Sequence, residues 1–533
     1  MTSISTILRA IVAPAVILAA GFANADSDRE ALRIALMQQE SGPEAAVSHY
    51  ELHDYRRLWA SDEAAAALFA ALRLAPEHGL SEARYGADRL ERMRAEARGA
   101  PAAMAAAELA MTRAALLYAR DLSSGMLEPR RIDRDLLIAP PRPDEAALLA
   151  MLAAAPAETL AALAPADPGY ARLVTMLADL RALPEEAWGE TAPGGATLRL
   201  GDRDPRVAAL RARLVRKGDH GGVAAGGDPE VFDAGLEADV RAFQRRHGLN
   251  DDGAAGQRTL DAINTPLVDR IGQVIVSMER ARWTNRERGR RHVYVNQADF
   301  TVRLVEDGAT LFEERVVVGA RRHRTPEFSD EMEYLVFNPT WHVPRSIASE
   351  EILPLLQEDP EYLSKKNMRL VSRSGDAPPD PAMTDWSLYS RADFPYSVKQ
   401  APGPGNALGR VKFMFPNAHA IYLHDTPSKN LFAKDARAFS HGCVRVQDPL
   451  RFAELLLAPQ MDDPTGRISR ILDTGRETVV RLDTPVPVHL DYRTAWADEA
   501  GLWQFRDDVY GRDGRILSAL LAAGVVLTPE ADG

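Results

Sequence analysis

Apolar residues in this chain are spaced one way up to about residue 282 and another way from about residue 291 onward. Helices return a side chain to the same face every 3.6 residues and strands every 2, so the change of period predicts a chain that is helical first and mostly β afterwards. In AALFAALRLAPEHGL, Leu68, Leu72 and Ala75 share a face before Gly79, and ELAMTRAALLYARDLSSG repeats the habit with Leu109, Leu116 and Leu117. Past residue 291, HVYVN, DFTVRLVEDGATLFEERVVVG and EYLVFNP alternate apolar and polar residues, with Asp307-Gly308 as a hairpin turn. VKFMF, AIYLH, VRV, TVVRL and VPVHL read as further strands, and Asp448 followed by Pro449 opens a helix through LRFAELLL. Between Pro344 and about Gln400 the alternation lapses: RSIASEEILPLLQEDPEYL is helical in character and SGDAPPDPAMTD does not sustain regular structure. An insertion of this kind in a β domain forms a subdomain or lid over a site.

A compact unit lies between the two parts, from about Leu198 to Asn264, preceded by the linker-like TAPGGAT and followed by a helical connector, Asp269 to Arg282. Val207, Leu210 and Leu214 share one face, Leu236, Val240 and Phe243 another, and Leu260 with Ile263 mark a third helix. The spacing of Leu249, Asp252, Gly253, Gly256, Thr259 and Leu260 resembles the three-helix peptidoglycan-binding module, and wall binding is what that resemblance implies. RKGDHGGVAAGGDPEVFD is long for the connection between its first two helices.

At the N-terminus, Arg9 precedes an apolar run from Ala10 to Ala23, and Ala23 and Ala25 frame a cleavage point, the pattern of a secretory signal. The run is shorter than the ~20 residues of a membrane span and Pro14 interrupts it, which leaves an uncleaved anchor as the second reading. A net charge of -12 and the lack of any Lys/Arg-rich block argue against nucleic acid as a partner.

Cys443, in SHGCVRV, is the only cysteine among 533 residues, so the chain forms no internal disulfide. A small buried hydrophobe is one reading of a lone cysteine; a nucleophile is the other, if a base lies within reach or the thiol is acidified. Two histidines are candidate bases. His441 sits two residues before the thiol, on the same side of an extended backbone; His424, at the end of the strand-like AIYLHDT, is favoured because neighbours in a tight turn seldom align for proton transfer. Gly442 allows a turn that aims consecutive N–H groups at one point, an arrangement suited to an oxyanion. Arg445 either pairs with a substrate carboxylate or pins the loop through a salt bridge.

SHGCVRV together with IYLHDT resembles the signature of L,D-transpeptidases of the YkuD type, which cross-link bacterial peptidoglycan. NPTWHVPRSIASEEILP, PGPGNALGRVKFMFPN and TAWADEAGLWQFRDDVYGRD are similar to the large Gram-negative branch of that family. The resemblance implies a multidomain α+β chain: a signal peptide at 1–25, a helical scaffold at 26–195, a peptidoglycan-binding-like module at 196–268, a mostly β catalytic domain at 269–495 with its insertion at about 345–400, and a C-terminal extension at 496–533. It implies Cys443 as nucleophile, His424 as general base and acid, and Gly442 with Cys443 as oxyanion donors. His441 would shape the pocket, Ser440 would stabilise the turn, and Arg445, Tyr422, Trp341, Asn338 and Arg410 would lie near the donor substrate. A backbone carbonyl beside the base often orients it in this family, so Asp425 is given no triad role.

The implied reaction transfers a tetrapeptide stem through a thioester on Cys443 to a diaminopimelate amine, releasing D-alanine in a periplasmic setting. Stem peptides and glycan strands are the implied partners, wall-synthesis enzymes are plausible from the pathway, no cofactor is required, and carbapenems would acylate the same thiol. Three alternatives remain: a hydrolase using the same thiol, a wall-binding scaffold without catalysis, and a zinc site built from His424, Asp425, His441 and Cys443, for which no HxxxH or CxxC spacing exists.

Overall fold

The computed structural model describes residues 26–38, 43–184, 192–216, 228–372 and 377–528. The signal-like segment and most of the RKGDHGGVAAGGDPEVFD connection lie outside them.

Helices dominate as far as Trp283. Leu68 and Leu72 are fully buried on the helix Asp62–Arg73, which opens where the Ser61 hydroxyl accepts the Ala64 N–H. The helix Pro101–Ser124 stops at Gly125, whose φ of 89° and close approach to the Trp283 indole both exclude a side chain; an added Cβ would sit 2.6 Å from that ring. The apparent connector is a buried helix, Leu267–Trp283. Its Ile271, Val274, Ile275 and Met278 share one core with the N-terminal leucines and with Ile516 and Leu520 of the C-terminal helix Arg512–Ala522.

That enclosure buries charge as well as carbon, and each of these charges has a partner. Arg282 pairs with Glu279 at 2.8 Å; Arg280 pairs with Glu327 and, at 3.1 Å, with Asp513; Arg512 reaches Glu327 at 2.9 Å. Removing one member of a buried pair leaves the other desolvated and unanswered. Glu327→Ala is therefore expected to cost about 3–5 kcal/mol, read from the urea midpoint; a loss below about 1 kcal/mol would mean these guanidinium groups find water instead.

Three helices, Arg206–Arg216, Ala234–Arg246 and Gln257–Asn264, close around Val207, Leu210, Val240, Phe243, Leu260 and Ile263. The Gln244 amide fills the turn between the last two, donating to Asp252 and Ala254 and accepting the Gly253 N–H.

The strands, in chain order, are β1 (Arg291–Asn296), β2 (Thr301–Glu306), β3 (Ala309–Gly319), β4 (Phe328–Phe337), β5 (Trp341–Val343), β6 (Met368–Ser372), β7 (Tyr396–Gln400), β8 (Val411–Met414), β9 (Leu423–His424), β10 (Ala438–Ser440), β11 (Val444–Val446), β12 (Thr478–Asp491), β13 (Ala495–Ala497) and β14 (Trp503–Phe505). Nine of those described form one sheet in the order β10-β3-β11-β9-β8-β4-β12-β1-β2, and β2 also pairs with β3. That pairing closes eight of the strands into a ring without free edges, with only β10 outside it. Val293, Val302, Leu335, Phe413, Leu423 and Val444 pack inside it.

TVVRL and VPVHL, read as two strands, are one: β12 runs through both, and its register against β4 breaks between Arg481 and Val486, where Pro485 has no N–H to give. AIYLH yields only two strand residues, because the Asn417 side chain accepts the His419 and Ile421 N–H groups and holds the chain in a turn up to Ile421. The insertion contains short helical turns, as its sequence predicts, and also the strands β6 and β7, whose MRLVS and YSVKQ show too little alternation to announce themselves. With β5 they form a sheet ordered β5-β7-β6 over a separate core that includes Ile352, Leu356, Trp386, Phe394 and Val398. The fold is thus multidomain α+β: a helical N-terminal region, a three-helix module and a mostly β domain.

Candidate active site

Strand β9 ends at His424, and β11 begins one residue after Cys443. The two run parallel with Leu423 opposite Val444 and His424 opposite Arg445, while on the other side of β9 Lys412 of β8 lies opposite His424. Side chains alternate along a strand, so the fully buried Leu423, Val444 and Phe413 face the core and Lys412, Tyr422, His424, Cys443 and Arg445 share the opposite face. Two segments separated in sequence thereby place the thiol and one imidazole on the same face of the sheet.

His424 is buried, and its Nδ1 meets the backbone carbonyl of Asp425. A carbonyl only accepts, so Nδ1 carries the hydrogen and Nε2 keeps its lone pair. Burial pushes the imidazole pKa down to about 3, helped by the positive charges of Arg445 and Lys412 and opposed by the Asp425 hydrogen bond. It is neutral at any ordinary pH. The Asp425 side chain works elsewhere: its carboxylate accepts the Thr426 and Arg410 N–H groups and pairs with Lys429 at 2.8 Å.

The half-buried Cys443 has its Sγ 3.6 Å from the Ala420 carbonyl oxygen. Desolvation raises its pKa to about 11, although contacts with Tyr422 and the charges of Lys412 and Arg445 favour the thiolate. At rest this face therefore carries a neutral thiol and a neutral imidazole. Alkylation by iodoacetamide should rise about tenfold per pH unit from pH 7 to 10 without the levelling near ~8.5 of an ordinary thiol; a plateau reached by pH 7 would reveal a preformed thiolate–imidazolium pair.

Gly442, at φ 113°, turns the chain just before the nucleophile, and an added Cβ would press on Ile421 at 3.1 Å. Ser440 ties this turn: its hydroxyl accepts the Gly442 N–H at 3.1 Å and donates to the Cys443 carbonyl. In this conformation the Gly442 N–H is given to Ser440, whereas the Cys443 N–H has no acceptor among the described residues. A further clamp was invisible in the sequence. Thr325 Oγ1 donates to the Gly442 carbonyl at 2.7 Å and accepts the Gly319 N–H; the Tyr510 hydroxyl donates to the Gly319 carbonyl and Arg512 to the Thr325 carbonyl, each at 2.7 Å.

The Gly442 turn breaks the extended backbone on which the same-side expectation for His441 rested. His441 Nε2 meets Glu351 of the insertion, and its ring lies 4.7 Å from that of His323. Tyr422 stays at the site, 5.6 Å from the His424 ring. Trp341 belongs to β5 and packs against the core of the insertion. Asn338 is engaged elsewhere, its amide donating to the Ile471, Leu472 and Arg476 carbonyls, and Arg410 is exposed, with its backbone fastened to Asn338 and Asp425. Among the described residues, no three His, Cys, Asp or Glu side chains converge as metal ligands.

Residues 290–488 match the family model described as the L,D-transpeptidase catalytic domain, 44–177 that of a scaffold domain, and 203–263 that of a "Putative peptidoglycan binding domain". A Haemophilus influenzae protein named "Putative L,D-transpeptidase" is 36% identical over 224 residues, 42% of this chain and 45% of that relative, so the alignment spans less than half of either. Crystal structures titled as L,D-transpeptidases from Stackebrandtia nassauensis and Xylanimonas cellulosilytica align at 14% and 16% identity, over 57% and 56% of this chain and 98% of each of those chains. Their TM-scores of 0.22 and 0.17 are too low to carry an argument. On the family matches, the chain carries a YkuD-type L,D-transpeptidase catalytic domain, together with a scaffold domain and a peptidoglycan-binding domain.

Proposed function

We propose that this protein forms 3-3 cross-links in peptidoglycan through a thioester on Cys443. The observation that carries the reading is the tautomer of His424: with Nδ1–H fixed on the Asp425 carbonyl, Nε2 is the free base on the face that bears the thiol. His424 takes the Cys443 proton as sulfur attacks the carbonyl of the third stem residue, a diaminopimelate in a donor tetrapeptide. The tetrahedral oxyanion accepts the Cys443 N–H. His424 then returns the proton to the departing D-alanine amine, the C–N bond breaks, and the stem remains as a thioester. In the second half, the side-chain amine of a neighbouring diaminopimelate gives its proton to His424, attacks the thioester and releases the thiol. The wall-binding module and the signal-like N-terminus support a periplasmic setting in which glycan strands are the bound partner.

Intact mass of the protein after incubation with a disaccharide tetrapeptide, with the products separated alongside, tests this. A Cys443-dependent adduct, free D-alanine and a dimeric muropeptide are expected. Tripeptide without dimer would make the protein a hydrolase, and no adduct with the tetrapeptide or with a carbapenem would return it to a wall-binding scaffold.

A further inference from the structure

The buried guanidinium groups of Arg280, Arg282, Arg493 and Arg512 are each answered by a carboxylate, on Glu327, Glu279, Asp491 and Glu327 respectively. The buried Arg270 and Arg437 have no carboxylate but donate to carbonyl oxygens; two half-buried cations at the candidate site have neither kind of partner among the described residues. Lys412 and Arg445 flank His424 in register on β8 and β11, one on either side, so the three side chains form a row across the face that carries Cys443. The Lys412 ammonium lies 4.2 Å from the centre of the Tyr422 ring. Burial lowers the pKa of both cations, as it does for charges that have lost water without gaining an anion. Neither makes an ion pair with a described residue, and Arg445 Nε is fully enclosed without an acceptor. Glu477, the carboxylate whose charge reaches Lys412, accepts the Thr340 N–H.

Unanswered desolvated cations are costly, so their presence in pairs beside a nucleophile points to an anion brought by the substrate. Its position follows from the proton transfer. The amine of the leaving residue must meet His424 Nε2, and in an α-amino acid the carboxylate is joined to the carbon that bears that amine. Such a carboxylate falls beside His424, within the row. We infer that Lys412, with Arg445, binds the free α-carboxylate of the departing residue and thereby selects donor stems that end at that residue. A stem extended by one more residue presents an uncharged amide there. This assignment rests on the transpeptidase reading above and adds Lys412 as a specificity residue.

The test compares wild type with Lys412→Met on two donors: the disaccharide tetrapeptide and the same tetrapeptide capped as a C-terminal carboxamide. Hydrogen bonds to a charged group correspond to about 10- to 100-fold in rate or affinity. Wild type should acylate faster with the acid by at least that factor in kcat/KM, and Lys412→Met should lose about 10- to 100-fold on the acid while changing little on the amide. Equal losses on both donors, or an unchanged acid-to-amide ratio, would overturn the inference. A second measurement needs no turnover. Free D-alanine, but not D-alaninamide, should slow iodoacetamide alkylation of Cys443 in the wild type, and the protection should vanish in Lys412→Met. Protection without any acyl adduct would retain the carboxylate site and reject the reaction; an adduct with neither protection nor acid preference would do the reverse.

Discussion

Replacing Cys443 by alanine should abolish the covalent adduct with tetrapeptide and reduce turnover to background. The chain has a single thiol, so no other sulfur can substitute and a thiol titration should fall from one group to none. The fold should survive. Cys443 is half-buried, and its Sγ contacts the Ala420 carbonyl oxygen only at 3.6 Å. Truncation leaves the backbone bond from Ser440 to the carbonyl of residue 443 in place. A stability change within about 1 kcal/mol is expected, with the unfolding midpoint as the check. Substantial cross-linking by this variant would remove the covalent mechanism altogether.

The second large effect belongs to His424. His424→Ala should slow acylation by about 10²- to 10⁴-fold, the usual contribution of a positioned general base. Because the thiol titrates near 11, almost none is ionised at neutral pH and the reaction depends on a group that accepts its proton during attack. The defect should therefore shrink as pH rises toward 11, where hydroxide generates the thiolate without help. His441→Ala, which breaks the contact with Glu351 and the tilted ring contact with His323, should leave acylation within about tenfold of wild type by the same reasoning. A fast His424→Ala beside a dead His441→Ala would reverse the assignment of the base.

The parts legible in the sequence were those whose signal is local. The change of apolar period announced the helical and β halves, and Asp307-Gly308, Asp448-Pro449 and Gly79 marked turns and caps where the structure has them. Cys443 stood out because it is alone, and His424 because it ends a strand pattern. What escaped depends on residues far apart in sequence or on which of two groups a backbone chooses. The resemblance pointed to a carbonyl beside His424, which Asp425 supplies, but nothing local tells that the Asp425 carboxylate binds Arg410, Thr426 and Lys429, or that Ser440 accepts the Gly442 N–H. Thr325 and Tyr510 are separated by 185 residues and meet only after the barrel and the C-terminal helix have come together. Lys412 carried a faint signal, a lone charge in the otherwise apolar VKFMF; its meaning appears only when β9 sets it against His424.

Tyr510 and Arg512 hold Gly319 and Thr325, and Thr325 holds Gly442, so the turn before Cys443 is finished by residues that come later in the chain than the turn itself. A ribosome delivers SHGCVRV before the barrel strand β12, and the segment that locks the turn only after both. Until then the chain contains Cys443 and His424 but lacks the tie between their segments and the helical half. The turn at Cys443 is thus tied to the segment that carries Tyr510 and Arg512, whose helix packs into the core of the helical half, so its shape depends on how those two parts dock.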